Sequence, residues 1–379
     1  MITLFQNKLN TKLSSYRPFL ALLKQFRGTS FTIEIEGMEG AFFAMILQRL
    51  FENAQAPFLV ITPTHTEAES LEKDLRLFTE KVYLFPWWDT VPLSGKRTPF
   101  HTAGERMHRL VKLVRGEPAI YIASLRSFLT PLPPPRFVKD HILTIKKGMP
   151  LDPVDIENKL QHFRYLRVPR VSVPGEFALR GEVLDIFLPG YEEAVRVVFE
   201  WDEIEEIRLF DPVSQNSTQV VEEIDIFPSS EIVWDEERIE KLRELLPKAK
   251  SFTDEAEEKM EAPDEMFLFP ATFDRLWSLS DYLGEKAVQF LVNQERLESG
   301  CESLKKEYLN LYREARSKQR PAIKPEKLLV NFEEVKTAHT KNVLIPAIKD
   351  PVKERIRFSY EGPSSYFGNV NYMKSELAT

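Results

Sequence analysis

The stretch Phe31-Thr32-Ile33-Glu34-Ile35-Glu36, then Gly37-Met38-Glu39-Gly40, then Ala41-Phe42-Phe43-Ala44-Met45-Ile46-Leu47-Gln48-Arg49-Leu50-Phe51 decides the fold. Its first six residues are rich in β-branched and aromatic types and read as a strand. Two glycines close together make a tight turn. From Ala41 the apolar residues recur at helical spacing. The pattern then repeats. Phe58–Thr62 is a short apolar strand ending at a proline. Thr66, with Glu69 three residues on, offers a capping box before the apolar stripe Ala68, Leu71, Leu75 and Phe78. Val82–Phe85 is a third strand. Ala103, Met107, Leu110, Val111 and Val114 mark another helix, and Ala119–Ala123 another strand. Strand–helix alternation of this kind predicts an α/β fold with a parallel sheet covered by helices.

The loop Gly37–Gly40 stands where a phosphate-binding loop would lie. A working loop of that type needs lysine and then Ser or Thr after its second glycine, one to reach the terminal phosphates and one to hold magnesium. Ala41 and Phe42 occupy those positions. Ala41 can do neither job, and the Phe42 ring is expected to fill the phosphate space. Glu36 and Glu39 are expected to repel a triphosphate. The site Gly37, Gly40, Ala41, Phe42 therefore reads as a degenerate nucleotide loop, or as an ordinary strand–helix turn. Both readings predict no nucleotide hydrolysis.

Pro131-Leu132-Pro133-Pro134-Pro135 breaks the alternation. Proline continues neither a helix nor a central strand, so the run marks a boundary. Beyond it, Asp155–Phe163 reads as a short helix. Phe177–Phe187, Ala194–Trp201 and Ile204–Phe210 read as strands joined by short turns, an antiparallel meander in a small α+β unit. After Asp235 the reading is a helix at Glu236–Leu246, a buried strand at Phe267–Pro270, and helices at Phe273–Leu283 and Glu285–Glu298. Asp254–Glu265 carries seven acids against one lysine and reads as a solvated loop.

With 379 residues, 43% hydrophobic and 29% charged, the chain is long enough for two to four globular domains. A net charge of -7 argues against the whole chain gripping duplex DNA non-specifically. The single cysteine, Cys301, excludes a disulfide framework and a multi-thiolate zinc site, and fits a reducing cytoplasm. The six histidines show no metal-ligand spacing. No cofactor, metal or catalytic constellation is expected. No run reaches the roughly 18 apolar residues of a spanning helix, and Met1–Leu20 does not read as a signal peptide.

The most distinctive segment is Tyr165-Leu166-Arg167-Val168-Pro169-Arg170-Val171, followed by Pro174-Gly175-Glu176-Phe177-Ala178-Leu179-Arg180-Gly181-Glu182-Val183-Leu184-Asp185-Ile186-Phe187. It continues as Val195–Phe199, Asp202-Glu203-Ile204 and Leu209-Phe210-Asp211-Pro212. These residues strongly resemble the small inserted domain shared by the excision-repair protein UvrB and the transcription-repair coupling factors of the Mfd family. In both families that domain docks UvrA. Leu84-Phe85-Pro86-Trp87-Trp88-Asp89, Thr98-Pro99 and Arg106-Met107-His108-Arg109-Leu110 resemble the first domain of the coupling factors. The long DNA-clamping hairpin of UvrB has no counterpart segment. Phe358-Ser359-Tyr360-Glu361-Gly362 and Tyr366-Phe367-Gly368-Asn369 resemble the beginning of their third domain.

The resemblance implies a degenerate RecA-like domain in two parts, 1–135 and 225–345, with an inserted UvrA-docking domain at 136–224. Residues 346–379 are then a linker and the start of a further domain. Motor domains that carry ATPase and translocase activity, and contacts to RNA polymerase and duplex DNA, are expected beyond residue 379. The implied function is non-catalytic recruitment of UvrA by mimicry of UvrB, in transcription-coupled nucleotide excision repair. Arg180 matches an arginine of the family's UvrA-contact set, and Arg167, Phe187 and Arg196 join it as candidates. Arginine binds carboxylates bidentately and is favoured at interface hot spots. The arginines could instead solvate the outer face of a sheet. Phe187, seven residues from Arg180, joins it if a bulge at Gly181 intervenes and is otherwise core. Trp87 and Trp88 either stack on bases or form a core residue and its cover. Two rival functions remain: a DNA-binding module of a UvrB-like repair protein, and an ATPase with an unorthodox site at Gly37 and Gly40.

Overall fold

The computed structural model describes residues 11–246, 263–347 and 354–359. The acidic stretch 254–262 and the tail from Tyr360 onward lie outside them.

After helix α1 (Arg17–Phe26), the chain lays down β1 (Phe31–Glu36), α2 (Gly40–Ala54), β2 (Phe58–Thr62), α3 (His65–Arg76), β3 (Val82–Phe85), α4 (Phe100–Val114) and β4 (Ile120–Ser124). The alternation read from the sequence is therefore present. One detail differs: the cap of α3 is Thr64, two residues before the expected Thr66, and its hydroxyl accepts from the Glu67 amide. The same Thr-x-x-Glu spacing occurs at both registers, and Pro63 favours the earlier one because it holds Thr62 extended.

A short helix α5 (Leu125–Leu129) and the proline run follow. Then come α6 (Pro135–Asp140), β5 (Leu143–Lys146), α7 (Pro153–His162), β6 (Leu166–Arg167), β7 (Glu176–Arg180), β8 (Val183–Ile186), β9 (Ala194–Glu200), β10 (Glu203–Phe210), β11 (Ser217–Val221) and β12 (Glu223–Ile226). Strands β6 to β11 form one sheet in simple sequential order, antiparallel except for the β6–β7 pair. β5 and β12 pair with each other where the chain enters and leaves this region. Arg115 at the end of α4 grips that ribbon through both carboxylate oxygens of Asp225, at 2.8 and 2.6 Å.

The returning chain contributes α8 (Glu236–Leu245), α9 (Glu265–Leu268), β13 (Val288–Val292), α10 (Gln294–Ser317), α11 (Phe332–Lys336), β14 (Lys341–Ile345) and β15 (Ile356–Arg357). Three sequence expectations fail here. Phe267–Pro270, read as a strand, is the end of α9 running into a 3-10 turn at Pro270–Thr272. Phe273–Leu283, read as a helix, contains a bridge from Trp277 to Leu132 and then a 3-10 turn at Leu279–Tyr282. Glu285–Glu298, also read as a helix, holds strand β13, and α10 begins only at Gln294. The cause is common to them. Short, fully buried apolar runs carry no period that separates strand from helix.

The parallel sheet runs β15-β1-β14-β13-β2-β4-β3. β13 and β14 thus sit at its centre although, of its strands, only β15 follows them in the chain. One face packs on α1, α2 and α3. The other shares a continuous core with α4 and with the inner face of the antiparallel sheet, where Leu59, Ile61 and Met107 join Phe177, Leu184 and Val197. The molecule is an α/β parallel-sheet domain of RecA-like type with an antiparallel-sheet insertion packed against it.

Two contacts lock α4 to the later parts of the chain. Arg106 and Glu231 form a fully buried bidentate pair, Nε to Oε2 at 3.0 Å and Nη2 to Oε1 at 2.9 Å. Nη1 donates to the Pro86 carbonyl at 2.8 Å, and the guanidinium lies 4.4 Å from the Phe85 ring centre and 4.2 Å from that of Trp88. Trp88 is buried, whereas Trp87 is half-buried under Arg126. His108 packs against Gly190, whose φ is +77° and where a Cβ would come within 2.0 Å of the imidazole. Glycine is required there on both counts. Arg109 can only donate, so its 2.7 Å contact to His108 Nδ1 makes that nitrogen an acceptor and the ring neutral. Burial, helped by Arg109 and Lys112, brings the His108 pKa down to about 3.

Breaking the buried pair alone, as in Glu231→Leu, is expected to lower stability by about 3–5 kcal/mol, and adding Arg106→Leu should recover much of it. Urea unfolding of both variants checks this. His108 is neutral in the folded protein and protonates near 6.5 when unfolded, so its contribution is intact above that pH and is lost as pH falls toward 3. The expected loss at pH 5 is roughly 2 kcal/mol relative to pH 7.5. Urea midpoints at the two pH values should therefore separate further for the wild type than for His108→Gln.

Candidate functional site

The outer face of the antiparallel sheet gathers most of the residues singled out in the sequence. Arg180 pairs with Val183 across a two-residue turn, Gly181-Glu182, and Ala178 pairs with Asp185. Val183 pairs in turn with Val198, and Asp185 with Arg196. Arg196 pairs with Arg208, which pairs with Val220. Directly opposed residues share a face. One face therefore presents the row Arg180, Val183, Val198, Glu206 and beside it the row Ala178, Asp185, Arg196, Arg208, Val220.

Asp185 organises this face. It is fully buried, and its carboxylate accepts from Arg180 Nη2 at 2.7 Å and from Arg196 Nε and Nη2 at 2.7 and 2.9 Å. A buried carboxylate is tolerated only with such partners. The Arg196 guanidinium also lies 4.5 Å from the Phe210 ring centre, and its hydrogen bonds to Asp185 raise its pKa further. Two guanidiniums share one carboxylate, which leaves one net positive charge. Arg180 carries it outward, with 50% of its side chain exposed, against 22% for Arg196. Arg208 is ion-paired with Glu206, and the hydrogen bond from Arg208 holds that carboxyl below its usual range.

Phe187 lies on the same face as Arg180, without the expected bulge at Gly181. The ladder from Phe177–Ile186 to Arg180–Val183 is regular. The count of seven residues fails because the intervening turn reverses the chain, so strand parity does not carry through it. Phe187 is nevertheless buried, at 5% exposure, among Val171, Ala178, Ala194 and Phe210 with Val168 packed on them. It supports the face from beneath.

Arg167 is not brought to Arg180 and Arg196. It pairs with the core residue Phe177 at the edge of the sheet, and its guanidinium meets Glu157 of α7 at 2.5 Å, on the helix-covered side. The neighbouring arginines differ again: Arg164 binds Glu265 and Arg170 donates to the Val213 carbonyl. Asp185 and Arg208 were missed as site residues. The signal was a lone acid in the strand Val183-Leu184-Asp185-Ile186, legible only once its partners on two other strands were known.

The glycine loop borders a cleft of about 400 Å³ at the carboxyl ends of the parallel strands, lined among others by Gly37, Gly40, Phe43, Glu39, Glu67 and Asp74. Gly37 has φ +79°, and a Cβ there would meet the Phe358 carbonyl oxygen at 2.0 Å. Two expectations are corrected. The Phe42 ring does not fill the cleft; it turns onto Phe358, with ring centres 5.9 Å apart, and Phe43 lines the cleft instead. Glu36 is neutralised by Arg355 at 2.5 Å and Arg357 at 3.2 Å. Ala41 is exposed and supplies neither cation nor hydroxyl. Among the described residues no group of three His, Cys, Asp or Glu side chains is placed to hold a metal, and no helix is long and apolar enough to cross a membrane.

Residues 143–232 match the family described as the UvrB interaction domain, a span that contains the whole antiparallel sheet. The transcription-repair-coupling factor of Borreliella burgdorferi is 28% identical over 371 residues, covering 94% of this chain and 32% of that protein. That of Haemophilus influenzae is 27% identical over 302 residues, 77% of this chain and 26% of its own length. That of Mycobacterium bovis is 37% identical over 181 residues, 45% of this chain and 14% of its own. The chain thus spans about a third or less of the curated relatives it matches. Residues 143–232 thus carry a UvrB interaction domain, and most of the chain is similar to a part of the transcription-repair-coupling factors.

Proposed function

We propose that the chain recruits UvrA, as a non-catalytic module of a cytoplasmic coupling factor acting in transcription-coupled nucleotide excision repair. The observation that carries the reading is the Arg180–Asp185–Arg196 cluster on the outer face of the sheet. A guanidinium held in place by a buried carboxylate has already lost much of its side-chain freedom, so less is lost on binding an acidic partner. The match to the UvrB interaction domain over 143–232 supports docking there. On this reading residues 136–224 are a docking domain inserted in a RecA-like domain, and UvrA meets it as it would meet the equivalent surface of UvrB. Arg180 makes the direct contact. Arg196 and Phe187 hold the face in shape, and Arg167 contributes from the edge. DNA translocation and displacement of RNA polymerase belong to other parts of a full coupling factor.

Titration of the chain with purified UvrA tests the reading. Arg180→Glu is expected to weaken binding by about 30-fold or more, because it reverses the outward charge and sets a like charge beside Asp185. Arg167→Glu should change affinity by about threefold or less, as for a rim charge. Saturable wild-type binding that Arg180→Glu leaves intact would overturn the assignment.

The cleft beside Gly37 and Gly40 is expected to give no saturable binding of magnesium–ATP by calorimetry. Hydrolysis that disappears on altering Gly40 would refute the non-catalytic reading.

A further inference from the structure

The tip of the β9–β10 hairpin carries Trp201, 85% exposed and in the left-handed region with φ 59°. Both features are unfavourable for folding. A large aromatic ring left in water forgoes the burial that usually justifies it. A left-handed backbone conformation disfavours bulky side chains and suits glycine. Glycine would satisfy this turn better on both counts. A residue kept in such a conformation with no intramolecular return is a candidate for a role outside the fold.

Its place in the sheet gives that role. The Phe199 amide donates to the Glu182 carbonyl at 2.8 Å, so the Gly181-Glu182 turn lies against the strand that ends at Trp201. Both hairpin tips are at one end of the sheet, the end that also bears Arg180. Strand geometry sets Trp201 roughly 14 Å from Arg180, two strands across and three residues along from Val198. A standard protein interface covers ~800 Å² per partner, a patch roughly 32 Å across, so both residues fit within one footprint. Between them lie the half-buried Val183 and Val198. Tryptophan and arginine are the residue types most enriched at binding hot spots.

We infer that Trp201 is the aromatic anchor of the docking face, seated in an apolar pocket of the partner whose acidic groups meet Arg180. The inference rests on the proposed function, with UvrA as the partner. Its chemistry is specific: the partner face offers carboxylates to the guanidinium and, about 14 Å away, an apolar recess the size of an indole.

The full chain is titrated with purified UvrA as wild type, Arg180→Glu, Trp201→Gly and Trp201→Phe, with thermal melts of each. Trp201→Gly is expected to melt at or above the wild type, since it relieves the turn, and to bind about 30-fold more weakly. Trp201→Phe should retain most of the affinity. The emission of Trp201, the exposed indole, should shift to the blue on binding. Wild-type affinity in Trp201→Gly, with binding lost in Arg180→Glu, would overturn the anchor and leave the proposed function standing. Loss in Trp201→Gly with Arg180→Glu unchanged would support the anchor and overturn the role of Arg180. No binding by folded wild type would overturn both. A Trp201→Gly variant that melts well below the wild type would show that the indole serves the fold, and would also sink the inference.

Discussion

The buried pair of Arg106 and Glu231 is the constraint on which the architecture turns. Arg106 lies on α4, before the insertion, and Glu231 follows the last strand that leaves it, 125 residues later in the chain. Between them runs the whole antiparallel sheet. With both side chains fully buried, neither charge is stable without the other. The pair therefore fixes where the returning chain must meet the first half, and it does so between the rings of Phe85 and Trp88. The β5–β12 ribbon and the Arg115–Asp225 contact repeat the restraint closer to the surface. The inner face of the inserted sheet belongs to the same core as α4.

The parallel sheet was largely legible in the sequence where its strands alternate with amphipathic helices. Phe31–Glu36, Phe58–Thr62 and Val82–Phe85 lie where the pattern places them. Legibility failed at the centre of the sheet. Val288-Gln289-Phe290-Leu291-Val292 is shielded on both faces, so it shows no alternation, and buried Gln289, which donates to the Lys336 carbonyl, interrupts the apolar run. Its neighbour Lys341–Ile345 opens on a lysine and an asparagine, so only three apolar residues mark it. Residues that pair with strands more than two hundred positions earlier owe their conformation to those partners, which local patterns do not record.

The candidate site divides along the same line. Arg180 could be singled out because it stands in a dense motif. Its relation to Phe187 was not, because residue parity is meaningful only within one strand and a two-residue turn resets it. The separation of Arg167 from Arg180 was equally hidden. Both lie in strands of one sheet, but β6 runs parallel to β7 in an otherwise antiparallel order, and Arg167 opposes a residue of the inner face. The organising residue, Asp185, draws its partners from the adjoining strands on either side, and only the register shows that its charge is neutralised from both.

Asp185 and Glu231 solve the same physical problem with different consequences. Glu231 meets one arginine, and the pair is sealed: charge balance is complete and nothing is left to offer. Asp185 meets two arginines, and only one is needed for balance. The surplus guanidinium is both fixed in orientation and directed to solvent, which is what recognition of a carboxylate requires. At the parallel sheet the balance has moved the other way. The glycine loop and Phe43 border the cleft, Ala41 is exposed, and the Phe42 ring turns toward Phe358. On the inserted sheet, by contrast, the Arg180–Asp185–Arg196 cluster turns a fixed guanidinium toward solvent.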